Sequence, residues 1–567
     1  MIRKTALLLC AMVFLAVGQA WAKMRIVDAQ HFMGHENGGV HYLRVVVENL
    51  DFQPLDYTLD FTAYDGFLFT VSGYSLPPGE KRLLHIPVVA DQRYLKCRLR
   101  DSSGFVSEEE SLRGETRPIL HMASLNRHLD AADADFLKKS YYCAVKKECN
   151  PKDFEDEPPA LLQRGPETCP DNWLCLLVFQ SVVTPEDEYL RLAEDAKTVL
   201  SRYVEAGGWL FLYGALQEGG EDRLLGKVVR TRDNPLTASQ LQSGLTARDR
   251  YNRPKARVGG GRKDFPYLPE RLAGTTGGLA LATLFFILAG PVNYIYFRRK
   301  KMPRALLVSL PAISLVFCLL ITVLFFASKG FSRQGGTVSL TLLDEEQKSA
   351  LCVAHHVFLS GLYPRGGLSF DGRTGFFSEE EEHSSPPVME LSGKLHLLSG
   401  LILPSVPFVY ATEAPFMTRE KILVADGRVQ NGLSFPIAAL VLRREGKWYK
   451  AGPVAPGAGA ALVSADEGSY RGGRPQGVAG LMVRILRTFP EIPAGELSYW
   501  EKNMLSSFSP EFLVDPEEDA YMAVLKGGPS QAWPGLSMGS DKQAHLIVGK
   551  MARSRNGETA SGQEVRP

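Results

Sequence analysis
The chain has 567 residues, of which 45% are hydrophobic and 22% charged, with 64 basic side chains against 63 acidic ones. Roughly three or four domains fit that length, and the apolar content excludes a disordered or collagen-like chain. The balanced charge argues against a general nucleic-acid binder. A mean hydropathy of −0.08 excludes a polytopic transporter but leaves room for a few membrane spans.

Residues 1–22 read as an export signal. Arg3 and Lys4 form a positive n-region, Ala6–Val17 an apolar core, and Ala20-Trp21-Ala22 a small-x-small cleavage pattern. Cys10 is not a lipidation site, because Leu9 precedes it where a small residue is required. Residues 23–115 then read as a β-sandwich. The segment from His41 to Asn49 alternates in part, Tyr57–Tyr64 is a period-2 run, and Leu76-Pro-Pro-Gly-Glu turns into Arg82–Val89. His31, His35 and His41 match no standard zinc spacing and are expected to be packed or solvent-facing.

Over 116–257 the pattern changes to α/β. Pro118–Ser124 reads as a strand, and Trp173-Leu-Cys-Leu-Leu-Val-Phe as a buried parallel strand. Thr184-Pro185 followed by three acids starts a helix whose apolar face carries Leu192, Ala196, Val199, Leu200, Tyr203 and Val204. Gly207-Gly208 closes it, and Trp209–Tyr213 is the next strand, completing a βαβ unit. Residues 258–271, with Val258-Gly-Gly-Gly, form a linker; the Gly run lacks the following Gly-Lys-Ser/Thr of a phosphate loop.

Residues 272–297 and 305–328 carry no charge, and each run exceeds the ~20 residues needed to cross a bilayer. Between them, in the loop 298–304, lie Arg298, Arg299, Lys300, Lys301 and Arg304 without an acid. The positive-inside bias keeps such a loop in the cytoplasm and places both large segments, 23–271 and 329–567, on the opposite side. Binding of anionic lipid or nucleic acid is the alternative reading of those five cations. Tyr294 and Tyr296 sit at an interfacial belt, and Gly290-Pro291 is expected to bend the first helix. Asn293 is placed to hydrogen-bond a neighbouring span or headgroups, and Cys318 to pack within the second span.

The stretches 173–179 and Ala206–Gly214, together with Ala289-Gly-Pro-Val-Asn-Tyr-Ile-Tyr-Phe-Arg-Arg, carry a resemblance. From about 117 to 330 the chain resembles bacterial membrane-anchored proteins with a degenerate class I glutamine amidotransferase-like domain. The resemblance implies an auxiliary subunit of a membrane machine. An active amidotransferase needs a Cys on a strained strand–helix turn, commonly Gly-x-Cys-x-Gly, with a His base and an acid. None of Cys97, Cys143, Cys149, Cys169, Cys175 and Cys352 sits between glycines after a strand, and no Gly-x-Ser-x-Gly is read as a substitute for it. No catalytic, cofactor-binding or metal-binding residue is therefore assigned. In an oxidising compartment Cys143 and Cys149 form the favoured local disulfide, with Cys169 a partner for either of them or for Cys97, and a zinc site the minor alternative.

Residues 329–549 read as one or two β-rich modules with short helices at 478–487 and 497–508, the latter burying Trp500; residues 550–567 form a polar tail. Cys352, His355 and His356 have metal-like spacing, but adjacent strand residues point to opposite faces. Glu379–Glu382 with His383 reads as a solvated loop. The expectation is a multidomain α+β membrane protein: a β-sandwich, an α/β domain, a two-helix hairpin and a β-rich domain. Its expected role is a non-catalytic scaffold or accessory subunit at the periplasmic face of a bacterial inner membrane. Its expected partners are the lipid bilayer and other envelope proteins, not nucleic acid. An exported enzyme or metalloprotein with a non-standard site is one alternative, and a glycan-, peptide- or lipid-binding module another.

Overall fold
A computed structural model describes residues 24–32, 40–63, 68–89, 94–104, 106–113, 122–124, 161–163, 169–179, 181–223, 226–232, 265–266, 274–300, 302–329, 334–359, 368–371, 374–378, 388–392, 394–399, 408–425, 427–465, 477–505, 519–527 and 540–551. The predicted export signal, His35, Cys143, Cys149 and Glu379–His383 lie outside them, as do the predicted linker apart from Phe265 and Pro266 and the polar tail apart from Lys550 and Met551. Phe265 is buried in the large core.

The first seven strands are β1 (Met24–Phe32), β2 (Val40–Asn49), β3 (Leu55–Ala63), β4 (Leu68–Leu76), β5 (Lys81–Val89), β6 (Tyr94–Asp101) and β7 (Val106–Arg113). They divide between a sheet ordered β1-β2-β5 and a second sheet containing β4-β3-β6-β7. Period-2 patterning accounts for the packing between them: Tyr57, Leu59 and Phe61 of β3 and Leu95, Cys97 and Leu99 of β6 all join one buried cluster. Asn49, fully buried, braces the chain after β2. Its amide donates to the carbonyls of Gln53 (2.9 Å) and Leu76 (2.8 Å), and its Oδ1 accepts from the Asp51 N–H (2.9 Å).

The α/β portion contains β8 (Met122–Ser124), β9 (Leu161–Gln163), α1 (Trp173–Leu176), β10 (Ser181–Pro185), α2 (Glu186–Arg191), α3 (Glu194–Glu205), β11 (Trp209–Tyr213), β12 (Gly219–Arg223) and β13 (Gly226–Thr231). Its sheet runs β12-β13-β11-β10-β8-β9, parallel throughout except for edge strand β12. The α3 face carries the predicted Val199, Leu200, Tyr203 and Val204 into the core. Close packing fixes the glycines that follow: a Cβ on Gly208 would lie 2.2 Å from the Tyr203 ring, and one on Gly226 2.1 Å from the Val204 carbonyl oxygen.

One predicted strand is not a strand. Trp173–Leu176 is a helical turn capped by Asn172, whose side chain accepts from the Leu174 N–H, and the parallel strand lies a few residues later at β10. A continuous apolar run carries no period, so burial alone does not distinguish the two states. The run is buried because it wedges between elements: Phe179 packs on Phe32 and Tyr42 of the first sheet, with ring centroids 6.1 and 6.0 Å apart, and its carbonyl accepts the Tyr203 hydroxyl. The predicted single helix after Pro185 is likewise two helices, broken at Leu192-Ala193.

The uncharged segments are helical. The first comprises α4 (Gly274–Ile287), a π-turn at Leu288–Val292 and α5 (Asn293–Arg299). Pro291 has no N–H to donate and its ring crowds the preceding turn, and the widened turn accommodates both. The second, α6, runs from Leu306 to Lys329. The two lie side by side, with Phe285 edge-on to Phe317 at 5.3 Å and the Ser309 hydroxyl donating to Asn293 Oδ1 at 3.0 Å. Among the described residues one helical segment, Leu281–Arg299, is long and apolar enough by itself to cross a membrane; Leu306–Leu320 is a shorter apolar stretch.

Beyond α6 lie β14 (Gln334–Asp344), β15 (Ser349–Leu359), β16 (Leu368–Asp371), β17 (Gly375–Ser378), β18 (Val388–Ser392), β19 (Lys394–Ser399), β20 (Phe408–Met417), β21 (Ile422–Ala425), β22 (Arg428–Asn431), β23 (Ile437–Arg444), β24 (Lys447–Ala451), β25 (Gly459–Ala461), β26 (Val463–Ser464), helices α7 (Gly477–Leu486) and α8 (Ala494–Tyr499), then β27 (Ala520–Leu525) and β28 (Ser540–Lys550). A central sheet runs β17-β20-β15-β14-β28-β27-β23-β24-β26. One of its faces buries Val338, Leu340, Val353 and Leu546 in a cluster shared with α3, α7 and Trp500. The other face meets the N-terminal sandwich through Phe358, Phe408 and Tyr410, and the small β21-β22-β25 sheet through Leu440, Leu442 and Tyr521.

The N-terminal sandwich does not close within 23–115. Strand β18 pairs in parallel with β4, matching Val388 to Leu68 and Leu391 to Val71, and β19 and β16 continue the sheet outward. Segments from before and after the apolar helices therefore share one sheet, one sandwich core and the large central core.

Candidate functional site
Three places concentrate polar chemistry. The first is the carboxyl edge of the parallel sheet. The chain passes from β8 to β9 on one side and then to β10 on the other, so the strand order reverses between β8 and β10. In open α/β sheets ligands bind at such a switch point, at the carboxyl ends of the strands. Here β10 runs directly into α2, and the residues at the turn are Thr184, Pro185 and Glu186, none of them a Cys or Ser nucleophile. Arg230 of β13 lies 3.4 Å from the Glu186 carboxylate and 3.6 Å from that of Glu221. Glu186 also accepts from the Leu216 N–H at 3.3 Å, and Arg232 donates to the Leu216 carbonyl at 3.3 Å. The carboxylate is thus committed to holding the loop after β11 closed over this edge. That strand leads through Gly214, at a φ of 68°, toward the antiparallel edge strand rather than into a helix, so no strand–helix elbow forms there.

The second place is a band of histidines in the central sheet. His355 and His356 do point to opposite faces, as strand alternation predicts. His355 Nδ1 pairs with the Tyr499 hydroxyl at 3.0 Å on the helix-covered face. His356 lies on the other face between Thr337 Oγ1 (3.0 Å from Nδ1) and Thr412 Oγ1 (2.9 Å from Nε2), stacked on Tyr410 with centroids 4.7 Å apart. His545, on β28, pairs through Nδ1 with Ser339 Oγ and through Nε2 with Gln543 Oε1 at 3.1 Å. Burial pushes His355 and His545 down to about 4 and His356, which also feels the other two rings, to about 3, so all three are neutral at physiological pH.

Four cysteines outside the apolar helices are described, and burial keeps their thiols protonated. Cys97, Cys169, Cys175 and Cys352 carry no disulfide, so the Cys97–Cys169 pairing considered from the sequence is not formed. Cys97 faces the interior of the sandwich core, whereas Cys169 packs against the large central core. Burial pushes the Cys352 thiol up to about 11 and that of Cys169 to about 12, and raises Cys97 and Cys175 as well. Among the described residues no group of three or more His, Cys, Asp or Glu side chains converges as a metal site. His31 is buried in β1, and His41 lies in β2.

Sequence reasoning missed β27 and β28, and with them His545. Their signals were the apolar runs Tyr521–Leu525 and Ala544–Val548. The reading that no Gly-x-Ser-x-Gly stands in for the nucleophile is corrected by Gly535-Leu-Ser-Met-Gly, which has the spelling of a nucleophile elbow. That segment lies outside the described residues and leads into strand β28, whereas an elbow needs a strand before it and a helix after it.

The third place is the helix pair. Between the helices near the basic turn, Asn293 is 6% exposed, its Oδ1 taken by Ser309 and its Nδ2 without a partner. An apolar groove of about 400 Å³ lies beside it, with Leu288, Val292 and Tyr296 on one wall and Ile313, Val316 and Phe317 on the other.

No family model and no curated protein matches the chain. Solved structures align with it only at low similarity. A Bacteroides uniformis β-glucuronidase 2 aligns at 11% identity and a TM-score of 0.14 over 34% of this chain, which spans 33% of that enzyme's length. The yeast δ-COP-I μ-homology domain aligns at 5% identity and a TM-score of 0.17, covering 39% of this chain and 95% of that one. A Dictyoglomus thermophilum β-D-mannosidase aligns at 9% identity and a TM-score of 0.16, covering 79% and 75%. At these values neither fold nor activity transfers.

Proposed function
We propose that the chain is a non-catalytic, membrane-anchored scaffold or accessory subunit of a bacterial envelope complex. Its two apolar helices form a transmembrane hairpin, and its folded lobes lie together on the periplasmic face. The observation that carries this reading is the pairing of β18 with β4 across the apolar helices. Strands in one sheet share one side of a membrane, so the chain between them crosses an even number of times. With Leu281–Arg299 as one crossing, α6 supplies the return. The cations Arg298, Arg299, Lys300 and Arg304 fall at the turn, and no carboxylate occurs between Glu270 and Asp344. The degenerate amidotransferase-like reading of the α/β domain is part of this proposal.

The test is crosslinking in cells, extraction in mild detergent and mass spectrometry of what travels with the chain. A membrane or envelope protein in fixed stoichiometry is the expected result. Recovery of the chain alone, from cells in which crosslinking of a known complex succeeds, contradicts the scaffold role.

A further inference from the structure
From the groove between the two apolar helices, the orphaned amide of Asn293 and the cations at the turn, we infer a built-in site for one anionic phospholipid on the cytoplasmic leaflet. The inference rests on the hairpin reading above. The groove is lined almost wholly by hydrocarbon, which suits an acyl chain rather than a polar solute.

Asn293 is the one strongly polar side chain on its wall, and it is nine-tenths buried. A buried amide N–H with no acceptor is costly in any low-dielectric surrounding, and most of all in a bilayer, where water does not stand in. The π-turn at Leu288–Val292 adds a residue to the helical register, which shifts the side chains after it, Asn293 first, around the axis. Asn293 precedes Arg299 by six residues, about 9 Å of helix rise. That depth is the ester level of a leaflet whose headgroups meet the cations. An ester carbonyl there accepts from Nδ2. The phosphate above it meets a cluster containing Arg298, Arg299, Lys300 and Arg304, with Lys300 Nζ poised 4.8 Å over the Tyr296 ring. Positive charge with no acid between Glu270 and Asp344 favours an anionic headgroup over a zwitterionic one.

The experiment uses the full chain in mild detergent, titrated with dioleoyl phosphatidylglycerol and, separately, dioleoyl phosphatidylcholine, and read by native mass spectrometry. Flotation with vesicles of the same lipids is the companion measurement. The wild type is expected to hold one phosphatidylglycerol. Asn293→Leu, which keeps the apolar volume, is expected to bind it about tenfold more weakly. Arg298→Gln/Arg299→Gln is expected to lose the preference over phosphatidylcholine. Equal phosphatidylglycerol binding by wild type and Asn293→Leu, with both chains floating, overturns the lipid site while leaving the hairpin standing. A photoreactive group at Val316 that captures a second polypeptide in place of lipid also overturns it. Failure of the wild type to float overturns the hairpin reading and the site with it.

Discussion

Acidification from pH 7.5 to 4.5 is expected to destabilise the central sheet by several kcal/mol, through His355, His356 and His545 rather than through surface carboxylates alone. Each of the three is buried and neutral in the folded chain, at about 4, 3 and 4 respectively, against about 6.5 when unfolded. The folded values are depressed, so the unfolded chain binds more protons throughout the window between. Stability is full above about pH 6.5 and is lost as pH falls toward the folded values. The linkage amounts to about 1.4 kcal/mol per pH unit for each histidine, or roughly 2.5 kcal/mol apiece by pH 4.5. That sum is a large part of a typical folding free energy of ~5–15 kcal/mol. The check is the slope of stability against pH between 6.5 and 4.5 for wild type and His356→Gln, whose neutral amide replaces the imidazole between Thr337 and Thr412. The variant is expected to lose one histidine's share of that slope; equal slopes contradict the assignment.

Truncating Trp500 to alanine is expected to cost about 4 kcal/mol. The indole is fully buried in the large core, and its Nε1–H donates to the Ser339 carbonyl of β14 at 3.0 Å. Its neighbour Tyr499 holds His355 and meets Phe265 edge-on at 5.2 Å, so this short helical segment is what clamps the first face of the central sheet. Large-to-small truncation of a buried Trp costs ~3–5 kcal/mol through lost burial and the cavity left behind. Trp500→Phe fills most of the volume and loses the hydrogen bond, and is expected to cost about half as much. Chemical denaturation of the detergent-solubilised chain measures both. A loss below ~1 kcal/mol for the alanine variant would show that the helices and the sheet unfold independently.

The histidine band shows how far a sequence carries such an argument. The opposed facing of His355 and His356 follows from the two-residue repeat of a strand, and the structure bears it out. Their hydroxyl partners, Thr337, Thr412 and Tyr499, come from other elements, and no local pattern announces them. The βαβ unit around α3 was readable because an amphipathic helix lay between Pro185 and Gly207-Gly208. The segment at 173–179 was misread because an unbroken apolar run fits a strand or a buried turn equally well, and the deciding signal was the single capping side chain of Asn172. Nothing local links β4 to β18. Their pairing depends on contacts between segments on opposite sides of the apolar helices, which periodicity within a window does not encode.

That same pairing makes the sidedness of the chain the most direct test of the account. Single cysteines introduced at Phe52, Met302 and Val463, all exposed, mark the N-terminal lobe, the basic turn and the C-terminal lobe. Labelling in sealed right-side-out membrane vesicles with a membrane-impermeant maleimide, before and after permeabilisation, reads the side on which each lies. The account predicts immediate labelling at positions 52 and 463 and labelling at 302 only after permeabilisation. Labelling of the two lobes from opposite sides would contradict the shared sheet, and labelling of position 302 from outside would contradict the hairpin.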